Sequence, residues 1–137
     1  MQNETAVIFA DGGSRGNPGP SGAGAVITVN GETVHSLCQF LGFGTSNVAE
    51  YRGLILGLEK AVEVGYTHVE VRMDSELVVR QMNGFYRVKN AKLIPLFERA
   101  KTLSHKFSKF TIVHVRREQN KLADKLANEA MDKGVQG

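Results

Sequence analysis

The sequence has few of the features that mark disulfide-linked, membrane-spanning or disordered chains. It contains one cysteine, Cys38, so no disulfide can form within the chain, and this suits a reducing compartment. The apolar run at residues 6–10 is too short to span a membrane, and no Lys or Arg precedes it as in a signal peptide. Hydrophobic residues make up 42% of the chain, enough for a buried core. We therefore expect one cytoplasmic, monomeric domain over residues 1–137.

The excess of positive charge is small. The chain has 17 Lys and Arg against 14 Asp and Glu, a net charge of +3, which an ordinary solvated surface explains. If four of the acidic residues bind metal, the other 10 leave a net charge of +7 on the rest of the molecule. A small protein with that balance would be attracted to a polyanion.

Hydrophobic periodicity predicts three strands, a helix, a strand, two helices, a strand and a helix. The strands fall at 6–10, 22–29, 32–43, 68–73 and 107–115, and the helices at 47–64, 75–82, 95–103 and 120–131. Asn30-Gly31 is a strong signal for a type I′ hairpin, and Gly65 is well placed to end the long helix. The opening meander followed by helix-linked strands implies an α/β fold with a mixed sheet covered by helices.

Four acidic residues lie at the ends or starts of these elements. Asp11 ends the first strand and Asp74 ends the fourth, while Glu50 lies in the first turn of the long helix and Asp124 lies early in the last helix. If the first and fourth strands are neighbours, Asp11 and Asp74 lie side by side beyond their carboxyl ends, where sites in open α/β sheets gather. Glu50 and Asp124 would then complete a cluster.

Each of these residues also has a purely structural explanation. Asn47 and Glu50 have the spacing of a helix cap and its N3 partner, and Asp74 is placed to cap the next helix. Asp124 suits a helix dipole, and Asp11 beside two glycines suits a turn. Their joint placement, and the apolar run that stops at Asp11, favour a shared site.

A cluster of carboxylates without Cys or a convergent His pair favours a hard cation. Mg²⁺, with Mn²⁺ as a substitute, suits ligands that are all oxygen, whereas Zn²⁺ usually takes nitrogen or sulfur. Two such ions can flank a phosphodiester and stabilise both its attacking and its leaving oxygen. The pattern therefore predicts a site for hard divalent cations such as Mg²⁺ or Mn²⁺.

Four motifs follow one another along the chain: DGGSRGNPGPSGAG at 11–24, TSNVAEY at 45–51, Asp74-Ser75, and NKLAD at 120–124. In this order they resemble type 1 ribonuclease H over nearly the full length of the chain. The resemblance implies a five-stranded mixed sheet of order 3-2-1-4-5. It also implies endonucleolytic cleavage of the RNA strand of RNA/DNA hybrids by two metal ions, which leaves 5′-phosphate and 3′-hydroxyl ends.

The resemblance assigns roles to individual positions. The family's catalytic metal ligands fall on Asp11, Glu50, Asp74 and Asp124. Its nucleic-acid contacts fall on Gly12, Gly13, Asn17, Thr45, Asn47 and Ser75. The glycines would let the backbone approach the RNA strand, the asparagines and the serine would contact 2′-hydroxyls and the minor groove, and the threonine would hold a DNA phosphate. Turn and cap chemistry is the alternative explanation for these residues.

One departure from the family is the absence of a Lys-rich helical insert that grips the DNA strand in many relatives. The stretch between Asp74 and Phe107 is short and holds no such cluster. The loop at 84–89 is the only substitute, because it mixes Phe85 and Tyr86 with basic residues, as nucleic-acid grooves often do. Alternatively, the two aromatic rings cover the core.

A second departure concerns the mobile histidine that many relatives place just before the last helix. The segment 114–120 is shortened here, and His114 lies within the strand pattern. The shortened form resembles the branch of the family that has an arginine near this point. We therefore predict that Arg117, rather than His114, assists catalysis, although a solvated surface arginine would also fit.

Two other functions compete with the endonuclease. One is a hybrid-binding module without activity, and the other is a different nuclease of the same fold, such as a resolvase or an exonuclease. All four acidic residues are present, which favours an enzyme. The glycine-rich turn and Asn17 favour a hybrid as the substrate.

Overall fold

The computed structural model describes residues 4–136. Its strands are β1 (Thr5–Ser14), β2 (Gly19–Val29), β3 (Glu32–Gly44), β4 (His68–Met73) and β5 (Lys109–His114). Its α-helices are α1 (Ser46–Val64), α2 (Glu76–Met82), α3 (Ile94–Ser104) and α4 (Lys121–Gln136), and a 3₁₀ turn, Arg117–Gln119, precedes α4. The predicted order of strands and α-helices is confirmed.

The five strands form one mixed sheet in the order β3-β2-β1-β4-β5. The β1–β2 and β2–β3 pairs are antiparallel, whereas β4 is parallel to both β1 and β5. Asn30 and Gly31 both have positive φ, 52° and 80°, as a type I′ hairpin turn requires. Both the predicted hairpin and the sheet order are confirmed.

Helices α1 and α4 cover opposite faces of the sheet. Alternate residues of a strand point to opposite faces, and β2 shows this directly. Gly24 faces α4, because a Cβ added to it would meet the backbone of that helix. The next residue, Ala25, faces α1, because its Cβ would lie 3.4 Å from a Cβ added to Gly57 of that helix. The main core lies on the α1 side, where side chains such as Ile8 and Leu54 are fully buried. Among residues 4–136, no helix is long and apolar enough to cross a membrane.

The prediction that Asp11 ends the first strand is wrong. Strand β1 continues to Ser14, because its antiparallel pairing with β2 extends to the pair Ser14–Ser21. Only the parallel pairing with β4 stops earlier, at Phe9–Arg72. Asp11 therefore lies inside β1, just beyond the point where the β1–β4 ladder ends, and residues 12–14 and 19–24 of the glycine-rich motif also lie in strands.

The alternative cap assignments for α1 and α2 are wrong, although each helix begins within one residue of its predicted start. Thr45 is the N-cap of α1, with its side chain accepting a hydrogen bond from Val48 N, so Asn47 is not the cap and Glu50 lies beyond the first turn. Ser75, rather than Asp74, caps α2. In both cases a hydroxyl residue within two positions of the predicted one provides the cap.

Candidate active site

The four predicted acidic residues line one open cavity of about 330 Å³ beside the end of the β1–β4 ladder. The wall of this cavity, called the acidic cavity below, also includes Gly12, Gly13, Ser14, Arg15, Ser46, Arg117, Ala127, Asn128 and Met131. The fold thus brings together side chains that are far apart in the sequence, since 113 positions separate Asp11 from Asp124.

Close packing of α1 on β1 places Glu50 in the same cavity as Asp11. A Cβ on Gly12 would lie 2.0 Å from Ala49 O, and a Cβ on Gly53 would lie 2.2 Å from Asp11 O. Real atoms cannot approach so closely, so only glycine fits at either position. The first two turns of α1 consequently lie directly on the part of β1 that carries Asp11.

A second close contact places Asp124. A Cβ on Gly24 of β2 would lie 2.5 Å from Ala123 O in the first turn of α4. Gly24 is also the antiparallel partner of Asp11. The start of α4 therefore crosses β2 at the level of Asp11, and the nearby Asp124 side chain helps to raise the pKa of Asp11.

Asp74 follows β4, and its two oxygens have different neighbours. Oδ1 accepts a hydrogen bond of 3.1 Å from Asn120 Nδ2. Oδ2 lies 3.9 Å from Nε of Arg117, whose side chain is 85% exposed. Arg117 thus overhangs the acidic cavity from the 3₁₀ turn, where its positive charge faces solvent.

Burial and mutual repulsion perturb two of the carboxyl groups. Burial, and then the negative charge of Asp74, raise the pKa of Asp11 to about 8, against the lowering effect of a hydrogen bond from Gly12 N. Burial is also the main reason why the pKa of Glu50 rises to about 7, and a hydrogen bond from Ser75 Oγ opposes it. Groups with such perturbed pKa values are typical of functional sites.

The donor chemistry of the acidic cavity fits a hard divalent cation, because all four acidic side chains offer only oxygen. Among residues 4–136, however, no three His, Cys, Asp or Glu side chains already stand together as a ligand set for one ion. Repulsion between carboxylates is a sufficient reason for this spacing, and a bound cation would remove that repulsion.

The predicted nucleic-acid contacts Asn17, Thr45 and Asn47 line a second open cavity, of about 560 Å³, with Asn90 and Lys92. Asn17 Oδ1 accepts a 3.2 Å hydrogen bond from Ser46 N, which ties the β1–β2 turn to the start of α1. This second cavity, called the amide cavity below, therefore joins the polar side chains of three separate segments.

The other predicted contacts are placed differently. Ser75 is buried, and its hydroxyl caps α2 and donates a 3.0 Å hydrogen bond to Glu50 Oε1. Gly12 is required by packing against α1, whereas a Cβ on Gly13 would meet only Met131 Cε, at 3.8 Å. Phe85 is 74% exposed, so its ring does not cover the core.

His114 is the last residue of β5, as the strand pattern predicts, but its side chain is exposed. It is not among the residues that line the acidic cavity.

Two residues near the site, Asn120 and Arg15, were not predicted from the sequence. Asn120 stands inside the motif NKLAD, a signal that could have identified it. Arg15 pairs with Asp132 of α4, a contact that no sequence pattern indicates.

The fold and the site together define a class of protein. A five-stranded mixed sheet of order 3-2-1-4-5, flanked by helices and with acidic residues where the central parallel ladder ends, is the ribonuclease H-like architecture. The family profile described as reverse transcriptase-like matches residues 9–130.

Two proteins of known sequence align with most of this chain. The bifunctional protein Rv2228c of Mycobacterium tuberculosis is 51% identical over 132 residues, which are 95% of this chain and 36% of that protein. Ribonuclease HI of Halobacterium salinarum is 39% identical over 132 residues, 90% of this chain and 63% of that protein. The chain therefore spans less than two thirds of the length of either protein.

Solved structures agree closely with this chain. The N-terminal RNase H domain of Rv2228c has a TM-score of 0.94 and 47% identity, and 98% of each chain is covered. LC11-RNase H1 in complex with an RNA/DNA hybrid has a TM-score of 0.90 and 45% identity, and covers 95% of this chain and 99% of its own. The chain belongs to the type 1 ribonuclease H family.

Proposed function

We propose that this chain hydrolyses the RNA strand of RNA/DNA hybrids endonucleolytically and leaves 5′-phosphate and 3′-hydroxyl ends. The observation that carries the proposal is the acidic cavity, in which four acidic side chains lie beside Gly13 and Arg117. The relatives support the substrate class, since one is named ribonuclease HI and another was solved with an RNA/DNA hybrid.

The ribonuclease H family generally uses divalent metal ions. In this chain Asp11, Glu50, Asp74 and Asp124 would hold two Mg²⁺ ions, or Mn²⁺ as a substitute, because carboxylate oxygens suit both cations. Two such ions, when bound, supply an activated water and neutralise the charge that develops on the leaving oxygen.

Neighbouring side chains restrain the orientation of two of these carboxylates and affect the protonation of a third. Ser75 Oγ holds one oxygen of Glu50, and Asn120 Nδ2 holds one oxygen of Asp74, so the orientation of both carboxylates is restrained. In the metal-free protein, the raised pKa of Asp11 keeps a proton on that carboxyl at neutral pH, which relieves repulsion. Binding of cations would displace this proton.

The amide cavity is suited to the sugar–phosphate backbone of the hybrid. The amides of Asn17 and Asn47 can bond 2′-hydroxyls, the groups by which a protein distinguishes RNA from DNA. Thr45 and Lys92, in the same cavity, offer a hydroxyl and a positive charge to a phosphate. Arg117 offers a positive charge that can attract the scissile phosphate, and a guanidinium group has no acceptor with which to act as a general base.

Cleavage of matched substrates tests the proposal. One labelled RNA is annealed to complementary DNA and to complementary RNA, and duplex DNA and a four-way DNA junction are assayed beside them, each with Mg²⁺ and with EDTA. We expect internal cuts in the RNA of the hybrid, in Mg²⁺ only. Cleavage confined to duplex or junction DNA would indicate the different nuclease, and hybrid binding without cleavage would indicate the binding module.

A further inference from the structure

Asn120 lies at the point where the strands, the 3₁₀ turn and helix α4 meet. It immediately precedes α4 and is 1% exposed. Its backbone N donates to Arg117 O at 2.9 Å, and its backbone O accepts from Asp124 N at 3.1 Å. One residue therefore joins the turn that carries Arg117 to the helix that carries Asp124.

The side-chain amide of Asn120 makes two hydrogen bonds of its own. Nδ2 donates to Ala10 O in β1 at 2.9 Å and to Asp74 Oδ1 at 3.1 Å. Ala10 directly precedes Asp11 in β1, and Asp74 directly follows β4, so the two bonds reach both of the segments that carry the central carboxylates. Both acceptors are oxygens, and only the NH₂ end of the amide can satisfy them.

The other end of the same amide has no partner. Asn120 Oδ1 is the one buried side-chain N or O atom without a hydrogen bond among the residues whose side chains the structure describes. A buried acceptor without a donor is unfavourable, and a position with only a packing role would avoid it. The arrangement is explained if the bond from Nδ2 to Asp74 serves the site.

We propose that Asn120 is a positioning residue of the hydrolytic site. Its amide fixes the Asp74 carboxylate through Oδ1, so that Oδ2 stays on the side of Arg117, and it ties the start of α4 to β1. This inference rests on the proposed function, because it concerns the same carboxylates. It extends that function by adding a buried amide to the parts on which cation binding depends.

The matched control is Asn83, which follows α2. Asn83 Nδ2 donates a 3.0 Å hydrogen bond to Ile112 O in β5, so it also ties a helix end to a strand, but no carboxylate is involved. The variants are Asn120→Ala, Asn120→Leu, which keeps most of the side-chain volume, and Asn83→Ala. For each, calorimetry gives the affinity for Ca²⁺, and kinetics give kcat, KM and the Mg²⁺ dependence of hybrid cleavage.

We expect both Asn120 variants to bind Ca²⁺ about 10–100-fold more weakly and to need correspondingly more Mg²⁺. The KM for the hybrid should stay within about twofold, because the amide does not face the substrate. Asn83→Ala should lose stability alone. In an Asp74→Asn background, Asn120→Ala should not weaken Ca²⁺ binding further, because the amide acts through that carboxylate.

Three results would overturn the proposal. They are wild-type Ca²⁺ affinity in a folded Asn120 variant, full additivity with Asp74→Asn, and failure of both Asn120 variants to fold while Asn83→Ala folds. The calorimetric comparison needs no turnover. If the wild-type protein binds Ca²⁺ but does not cut the hybrid, the proposed function fails while the role of Asn120 is still tested.

Discussion

Asp11 illustrates how burial and charge act on one side chain. The residue is 8% exposed, and Asp74 and Asp124 are close to it. Its pKa rises from the ordinary value of 3.8 to about 8, chiefly because burial disfavours the charged form. Below about pH 4 the folded and unfolded states both hold the proton. Between about pH 4 and pH 8 only the folded state holds it, so the stability of the metal-free protein falls as pH rises.

Asn in place of Asp11 removes this titration. We expect Asp11→Asn to be more stable than the wild type in EDTA at pH 8, by on the order of 2 kcal/mol or roughly 5–10 °C in Tm. The difference should shrink toward pH 4, where the wild-type carboxyl is protonated in both states. Thermal unfolding followed by circular dichroism at pH 4 to 9 measures it.

Glu63→Gln is the control, since Glu63 is an exposed acid paired with Lys60 on α1. An exposed ion pair contributes little, so its Tm should follow the wild type at every pH. A constant difference between Asp11→Asn and the wild type across the pH range would contradict the raised pKa.

At the scale of the elements, three glycines determine where the acidic residues meet. Gly12 and Gly53 let α1 lie on β1, and Gly24 lets α4 lie on β2. Helix α1 brings Glu50 to the cavity that Asp11 lines, and α4 brings Asp124 to the same cavity. The site is thus built by backbone contact, and the carboxylates only occupy positions that this contact provides.

Gly12→Ala tests this packing. The added Cβ would meet the Ala49 backbone at 2.0 Å, so we expect a loss of about 1–3 kcal/mol in the free energy of unfolding. Gly13→Ala is the matched control, because its Cβ would have 3.8 Å to the nearest side-chain atom. Urea titrations measure the free energy of unfolding of both variants. Equal values for the two would contradict the close contact at Gly12.

Arg117, in the 3₁₀ turn before α4, is expected to affect the rate of cleavage. Arg117 lines the acidic cavity and His114 does not. Arg117→Ala should lower kcat at least about tenfold by removing a charge near the developing phosphate charge, with little change in cation affinity. His114→Ala should be near wild type. Steady-state kinetics of both variants across pH give the comparison. A larger loss for His114→Ala, together with loss of a limb titrating near pH 6–7, would reverse the assignment.

The elements can be predicted from the sequence better than their exact ends. The alternation at His68–Met73 predicts β4 to the residue, because it is regular and both of its ends are marked. The apolar run alone places Asp11 at a strand end, because the pairing that extends β1 to Ser14 depends on β2, which is a separate segment. The capping role of Thr45 and the bonds of Asn120 likewise depend on three-dimensional contacts that hydrophobic periodicity does not encode.

At the scale of the whole molecule, charge is unevenly distributed. The acidic side chains of the site stand in one cavity, while the lining of the neighbouring amide cavity has Lys92 and no acidic residue. If cations neutralise the four acidic residues of the acidic cavity, the remaining 17 basic and 10 acidic residues would favour association with a polyanion.

We therefore expect hybrid affinity to fall steeply with salt. In Ca²⁺, which should occupy the site without turnover, Lys92→Ala should reduce the log–log slope by about 1 if it contacts a phosphate. Lys60→Ala is the control, because Lys60 pairs with Glu63 near the far end of α1. Fluorescence anisotropy with a labelled hybrid measures both slopes. A wild-type affinity that does not change with salt would show that phosphate contacts do not drive binding.

Neutralising single carboxylates is the most direct test of whether the residues lining the acidic cavity form the site that cleaves the RNA of a hybrid. The measurement is single-turnover cleavage of one labelled hybrid at saturating Mg²⁺ by the wild type, Asp11→Asn and Asp74→Asn, with folding verified by circular dichroism. We expect each substitution nearly to abolish cleavage while the fold is kept, since each removes a charge that the cations need. Near-wild-type cleavage by either folded variant would mean that the hydrolytic site lies elsewhere.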